Sequence, residues 1–156
     1  MSAVYPLASV ADLRKEEEEA KKKGLAQAIE AHAQAADATR RAEDAASAHR
    51  SETEAVRRDE EARDGGLRTV ASALVAQAWL SRRKTEQAAL LVKLEGCRRQ
   101  EATLLGAIDT ARAALAQARA EVEALAKHRQ KWDAENARTQ ERREEAEQED
   151  RRLLDP

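Results

Sequence analysis

An apolar repeat running from Leu90 to Trp132 constrains this chain more than any other feature. Steps of four and three residues pick out Leu90, Leu94, Cys97, Glu101, Leu104, Ile108, Ala111, Leu115, Ala118, Val122, Leu125, Arg129 and Trp132, and eleven of these thirteen are apolar. Six heptads of that rhythm predict a long helix lying along a partner helix in a coiled coil. A coiled coil of this kind offers no obvious pocket, so its function is sought in partners rather than in substrates.

Composition agrees. With 37% charged residues, 2% aromatics and no Phe, a chain of 156 residues has little with which to fill a compact core. The bias toward Ala, Glu, Arg, Leu and Lys at a 3.5-residue period is that of long helices. Disorder is the alternative, but a disordered segment has no reason to hold Leu and Val in register for six heptads. The tail after Ala137 differs, because its seam fades to Thr139, Arg143, Ala146 and Asp150.

A formal net charge of −2 gives no long-range attraction to nucleic acid or to an anionic membrane. The single Cys97 falls on the seam, where a lone thiol suits a small packing role and a reducing compartment. Met1 to Val10 lack the basic start and apolar run of a signal peptide, and no stretch has the length to cross a bilayer. A cytosolic protein without direct membrane insertion is expected.

The fold class expected is all-α, a long antiparallel two-helix coiled-coil hairpin with unequal arms, forming a single elongated domain over 1–156. Pro6 suits the first turn of a helix, and Leu7, Val10 and Leu13 follow with helical spacing. Asp64-Gly65-Gly66 contains the one adjacent glycine pair and marks the turn. Helix one is therefore placed at about 7–64, the turn at 65–66, and helix two at about 67–154 with a C-terminal overhang. At 1.5 Å per residue the arms would measure about 87 Å and about 130 Å.

In helix one, Glu17, Glu18 and Glu19 each precede a lysine by four residues, the favourable orientation for ion pairs along a solvated face. From Ala28 its seam reads Ala28, Ala31, Ala35, Ala38, Ala42, Ala45, His49, Glu52 and Val56. Folding at the glycines would pair position i with about 131 minus i, setting Leu7 against Leu125, Gly24 near Gly106 and Ala35 near Gly96. Either those glycines permit close helix approach, which would offset their cost of about 1 kcal/mol each, or they are tolerated surface positions.

Catalytic signatures are missing. There is no GxxxxGK phosphate loop, GxSxG, HExxH or CxxC. His32, His49 and His128 are too far apart for a metal site on one helix face and read as ordinary helix residues. The many carboxylates lie on solvated faces without a pocket to separate their pKa values. No catalytic, metal or cofactor-binding residue is assigned, and an enzyme is not expected.

Two regions rise above this background. From Thr69 to Gln100 the cations Arg82, Arg83, Lys84, Lys93, Arg98 and Arg99 outnumber Glu86 and Glu95, and Leu67, Val70, Leu74, Val75, Ala78, Trp79 and Leu80 cover more than one helical stripe. Such width marks a docking site or oligomer packing. Trp79 is either an interface anchor or a cap on the hairpin's own packing. At the other end, Tyr5, Leu7, Val10 and Leu13 open helix one while His128 and Trp132 precede an extension whose charges balance.

The opening Tyr5-Pro6-Leu7 with Val10, Leu13-Arg14 and Glu17-Glu18, and the late stretch Lys127-His128-Arg129 with Lys131-Trp132, Glu135 and Arg138, resemble the FliJ/YscO family of bacterial type III export machines, found in flagella and injectisomes. The resemblance covers nearly the whole length. It implies a non-enzymatic central stalk seated in the pore of the hexameric export ATPase, touching the cytoplasmic domain of the export gate and engaging export chaperones. By that resemblance Leu7, Leu13, Arg14 and Trp132 would face the ATPase, and Val70, Leu74, Ala78 and Trp79 the gate. The phenylalanine often found there in the family is missing here. A monomeric hairpin is expected; the competing readings are a homo-oligomeric structural coiled coil and a holdase-like chaperone.

Overall fold

A computed structural model describes residues 4–63 and 69–154. The fold is all-α, a helical hairpin of two helices packed against each other: α1, Ala8–Arg63, of 56 residues, and α2, Val70–Leu154, of 85 residues. The turn expected at Gly65-Gly66, and Leu67 as the first residue of the second helix, lie outside the described residues.

Both helices begin on local chemistry. Tyr5 supplies the carbonyl that accepts from the Ala8 amide at 3.3 Å, and Leu7 the one that accepts from Ala11 at 2.9 Å, with Pro6 between them. Proline tolerates this position because its missing N–H would have no helical partner. In α2, Thr69 is the N-cap. Its hydroxyl accepts from the Ser72 amide at 3.2 Å, its carbonyl accepts from Ala73 at 3.1 Å, and the Ser72 hydroxyl returns to the same carbonyl at 2.8 Å. That cap fixes the start of α2 at Val70.

The seam of α2 follows the four-three repeat. Leu94, Ile108, Leu115 and Ala118 are buried, and every other repeat position from Leu90 to Trp132 is at least half-buried except Arg129. In α1 the stripe is Ala28, His32, Ala35, Thr39, Ala42, Ala46, His49 and Thr53, with Ala31 half-buried at its edge. Ala28, Ala31, Ala35, Ala42 and His49 match the expected seam; Ala38, Ala45, Glu52 and Val56 are exposed, the first three replaced by Thr39, Ala46 and Thr53 one residue later. With alanine on several faces of this segment, composition does not distinguish two stripes one residue apart.

The chain packs as two units, residues 1–26 with 110–156 and residues 27–109. In the first, Tyr5 meets His128, Arg14 meets Glu121 and Glu18 meets Arg119. In the second, Glu43 meets Arg98, His49 meets Glu86 and Thr53 meets Arg83. Partner numbers in most of these pairs add to about 135, so the expected 131 is wrong by about one helical turn.

The glycine expectation also fails as a packing argument. A Cβ added at Gly24, Gly96 or Gly106 would find no atom within 4 Å, so close approach of α1 and α2 does not require them. The acidic triplet is likewise used differently. Glu17 pairs with Arg14 at 2.6 Å, Glu18 reaches Arg119 at 3.4 Å, and Glu19 takes Lys22 at 3.4 Å.

Candidate functional site

In the unit of residues 1–26 and 110–156, Tyr5 is the centre of a small aromatic cluster. It is only 6% exposed although it precedes the first turn of α1. The Trp132 ring meets it edge-on at 5.5 Å, the His128 ring lies at 5.8 Å, and the tyrosine hydroxyl and His128 Nδ1 share a hydrogen bond of 2.9 Å. The Arg129 guanidinium stands 5.8 Å from the tyrosine ring, within cation–π range. One aromatic thus binds three side chains of the Lys127–Trp132 run. His128, expected to be an ordinary helix residue, is a partner in this cluster.

The residues assigned to an ATPase contact divide. Leu7 and Trp132 are half-buried, whereas Leu13 is 53% exposed. Arg14 is held by Glu17 at 2.6 Å and Glu121 at 3.0 Å; the Glu17 hydrogen bond, then the Glu121 charge, push its guanidinium above the ordinary value. Beside the cluster lies a cavity of about 500 Å³ whose lining includes Val4, Tyr5, Trp132 and Asn136, and the Asn136 Nδ2 is buried without a hydrogen-bond partner.

Residues 27–109 carry a different centre, and it is polar. Arg83 Nε donates to Thr53 Oγ1 at 2.9 Å, while its terminal nitrogens reach Glu52 at 2.7 Å, Glu86 at 3.3 Å and the His49 carbonyl at 3.3 Å. His49 Nε2 donates to Glu86 at 3.1 Å, and its Nδ1 shares a hydrogen bond with the Gln87 amide oxygen at 2.9 Å. The His49 hydrogen bond, with help from Arg83, holds the Glu86 carboxyl below its ordinary value despite some desolvation. Arg83 also lies 5.6 Å from the Trp79 ring centre. His49 stands on the expected seam, but its cross-helix role has no signal in the sequence.

Next to this centre α1 and α2 enclose an open groove of about 770 Å³. Its apolar wall is Val56, Ala71, Val75, Ala76, Trp79 and Leu80, and Arg57, Glu60, Glu61 and Ser72 form the remainder. Of the residues assigned to a gate contact, Trp79 lines the groove and is half-buried, while Val70, Leu74 and Ala78 are exposed. Among the described residues no group of His, Cys, Asp or Glu could hold a metal ion, and no helix is long and apolar enough to cross a membrane.

Each of the two centres joins side chains across α1 and α2 or their flanking residues. No protein-family model, curated protein or solved structure matches the chain.

Proposed function

We propose that this chain is the non-enzymatic central stalk of a bacterial type III protein export apparatus, working in the cytoplasm at the inner-membrane export machine. It inserts into the pore of the hexameric export ATPase, couples the ring to the cytoplasmic domain of the export gate, and engages export chaperones. The ATPase carries the nucleotide chemistry; the stalk transmits the state of unlike ring subunits through a stiff pair of helices.

One observation supports this reading above the rest. The two stretches that carry the family resemblance, Tyr5-Pro6-Leu7 and Lys127 to Trp132, are joined through Tyr5 by a hydrogen bond and two ring contacts. A motif split across more than a hundred residues of sequence is thus brought together in one cluster. The exposed Val70, Leu74 and Ala78 supply an apolar contact for the gate.

Sedimentation equilibrium over a wide concentration range, alone and with the export ATPase and nucleotide, tests the proposal. A monomer joining the nucleotide-assembled hexamer at one copy per ring is the expected result. A stable dimer indifferent to the ATPase would reject it in favour of a structural coiled coil, and unselective suppression of client aggregation would favour a holdase. Leu74→Asp should weaken gate binding and leave helicity intact.

A further inference from the structure

Within residues 27–109, α2 has two faces that avoid charge, and α1 covers only one. Successive helical residues turn by about 100°, so Val92 and Leu94 point to nearly opposite sides. Leu94 is 8% exposed on the seam, whereas Val92 is 74% exposed. Steps of three and four from Val70 pass through Leu74, Ala78, Ser81, Thr85, Ala88, Val92 and Gly96 without meeting a charge, and all of these residues are exposed. The Thr85 hydroxyl donates to the Ser81 carbonyl at 3.2 Å, so even this polar group is turned back to its own helix. The stripe ends where the Arg99–Glu95 ion pair, at 3.0 Å, crosses its line.

Three observations define what fits here. From Leu74 to Val92 the steps alternate four and three, the spacing of a heptad seam, which is filled by the side chains of another helix, and Val70 and Gly96 extend the line by one step of four at each end. An added Cβ at Gly96 meets nothing within 4 Å among the described residues, so a second backbone has room to come close there. The flanks are mostly basic: Arg82, Lys84 and Lys93 border the stripe and carry no ion pair among the described residues, whereas the acidic neighbour Glu95 is held by Arg99, and Arg83 and Arg98 are also paired. A second copy of this chain would set basic flank against basic flank, which is destabilising at coiled-coil edges.

The geometry points to a docking face on α2, from Val70 to Gly96, for an amphipathic helix of a partner protein whose apolar seam is flanked by Glu or Asp. This face shares Val70, Leu74 and Ala78 with the surface offered to the export gate, but it extends to Gly96 and does not need an export machine to exist.

The test uses the full chain and two designed helical peptides of about 28 residues, four heptads, with identical Leu and Ala seams. One carries Glu at its flanking positions and the other Lys. The Glu peptide should bind at least about tenfold more tightly, lose affinity as salt rises, and release on Leu74→Glu or Val92→Glu. Both substitutions fall on exposed positions, and circular dichroism should show unchanged helicity. The combined Arg82→Glu, Lys84→Glu and Lys93→Glu chain should reverse the preference and take the Lys peptide. Equal binding of the two peptides, binding of neither, or a self-dimer that Val92→Glu abolishes would each overturn the proposal. Because no export protein is present, such a failure leaves the stalk reading to its own experiment.

Discussion

The two packed units solve the same problem, holding two helices in one alignment, with different centres. In residues 1–26 and 110–156 a buried tyrosine, in ring contact with Trp132 and His128, adds to the Leu115 and Ala118 seam and to the Arg14–Glu121 and Glu18–Arg119 ion pairs. In residues 27–109 the seam of α1 is mostly alanine, and the alignment rests on Arg83, His49, Glu86, Gln87 and Thr53. Aromatic contacts tolerate small displacements with little loss, whereas a guanidinium fork loses hydrogen bonds when displaced by an ångström or so. The alanine seam lacks side chains large enough to interlock, so the directional bonds occur where shape alone specifies least.

The sharpest way to break this contrast is Tyr5→Ala. It removes a 6% exposed ring and should cost about 3 kcal/mol, opening the unit of residues 1–26 and 110–156 while amides near His49 stay protected in hydrogen exchange. Arg83→Ala should act in the converse sense. Leaving the Thr53 and Glu52 contacts unmade should cost about 2 kcal/mol and deprotect residues 27–109 first. If both variants melted the whole chain in one step, the units would not be separable.

Glycine replacements sharpen the comparison at smaller scale. Because an added Cβ meets nothing within 4 Å at Gly24 or Gly106, Ala at either should stabilise by about 0.5–1 kcal/mol, raising the melting temperature. The smallest effect is that of pH. The Glu86 carboxyl is held below its ordinary value of 4.5, so its contribution is complete above that pH and fades as acid titrates through the lowered value. Acid unfolding followed by hydrogen exchange should show this component in residues 27–109, and Glu86→Gln should remove it.

How far the sequence reveals these features depends on side-chain size. The α2 seam is readable almost residue by residue, because Leu90, Leu94, Ile108, Leu115 and Val122 stand out from a charged background. The α1 stripe is readable only in part, since nothing in its alanine-rich run favours Thr39 over Ala38, or Ala46 over Ala45, as the inward position. The register escapes by about a turn because it is read from cross-helix pairs such as Arg14–Glu121 and His49–Glu86, which no periodic signal in the sequence picks out. Tyr5, His128 and Trp132 fall at one end in either register, but their mutual contact follows from the turn at Pro6 and Leu7, a local geometry with no periodic signal. The Arg83 network is hidden because one arginine among six cations after the turn carries no mark of its burial.

The alanine seam has an informational consequence. Neighbouring alignments of such a seam present nearly the same methyl groups to one another, so the interface itself says little about which alignment is meant. Most of that message is spelled by a few polar letters clustered around Arg83. Substitutions elsewhere along the seam change how firmly the helices are held, but substitutions among those letters rewrite the address at which they meet.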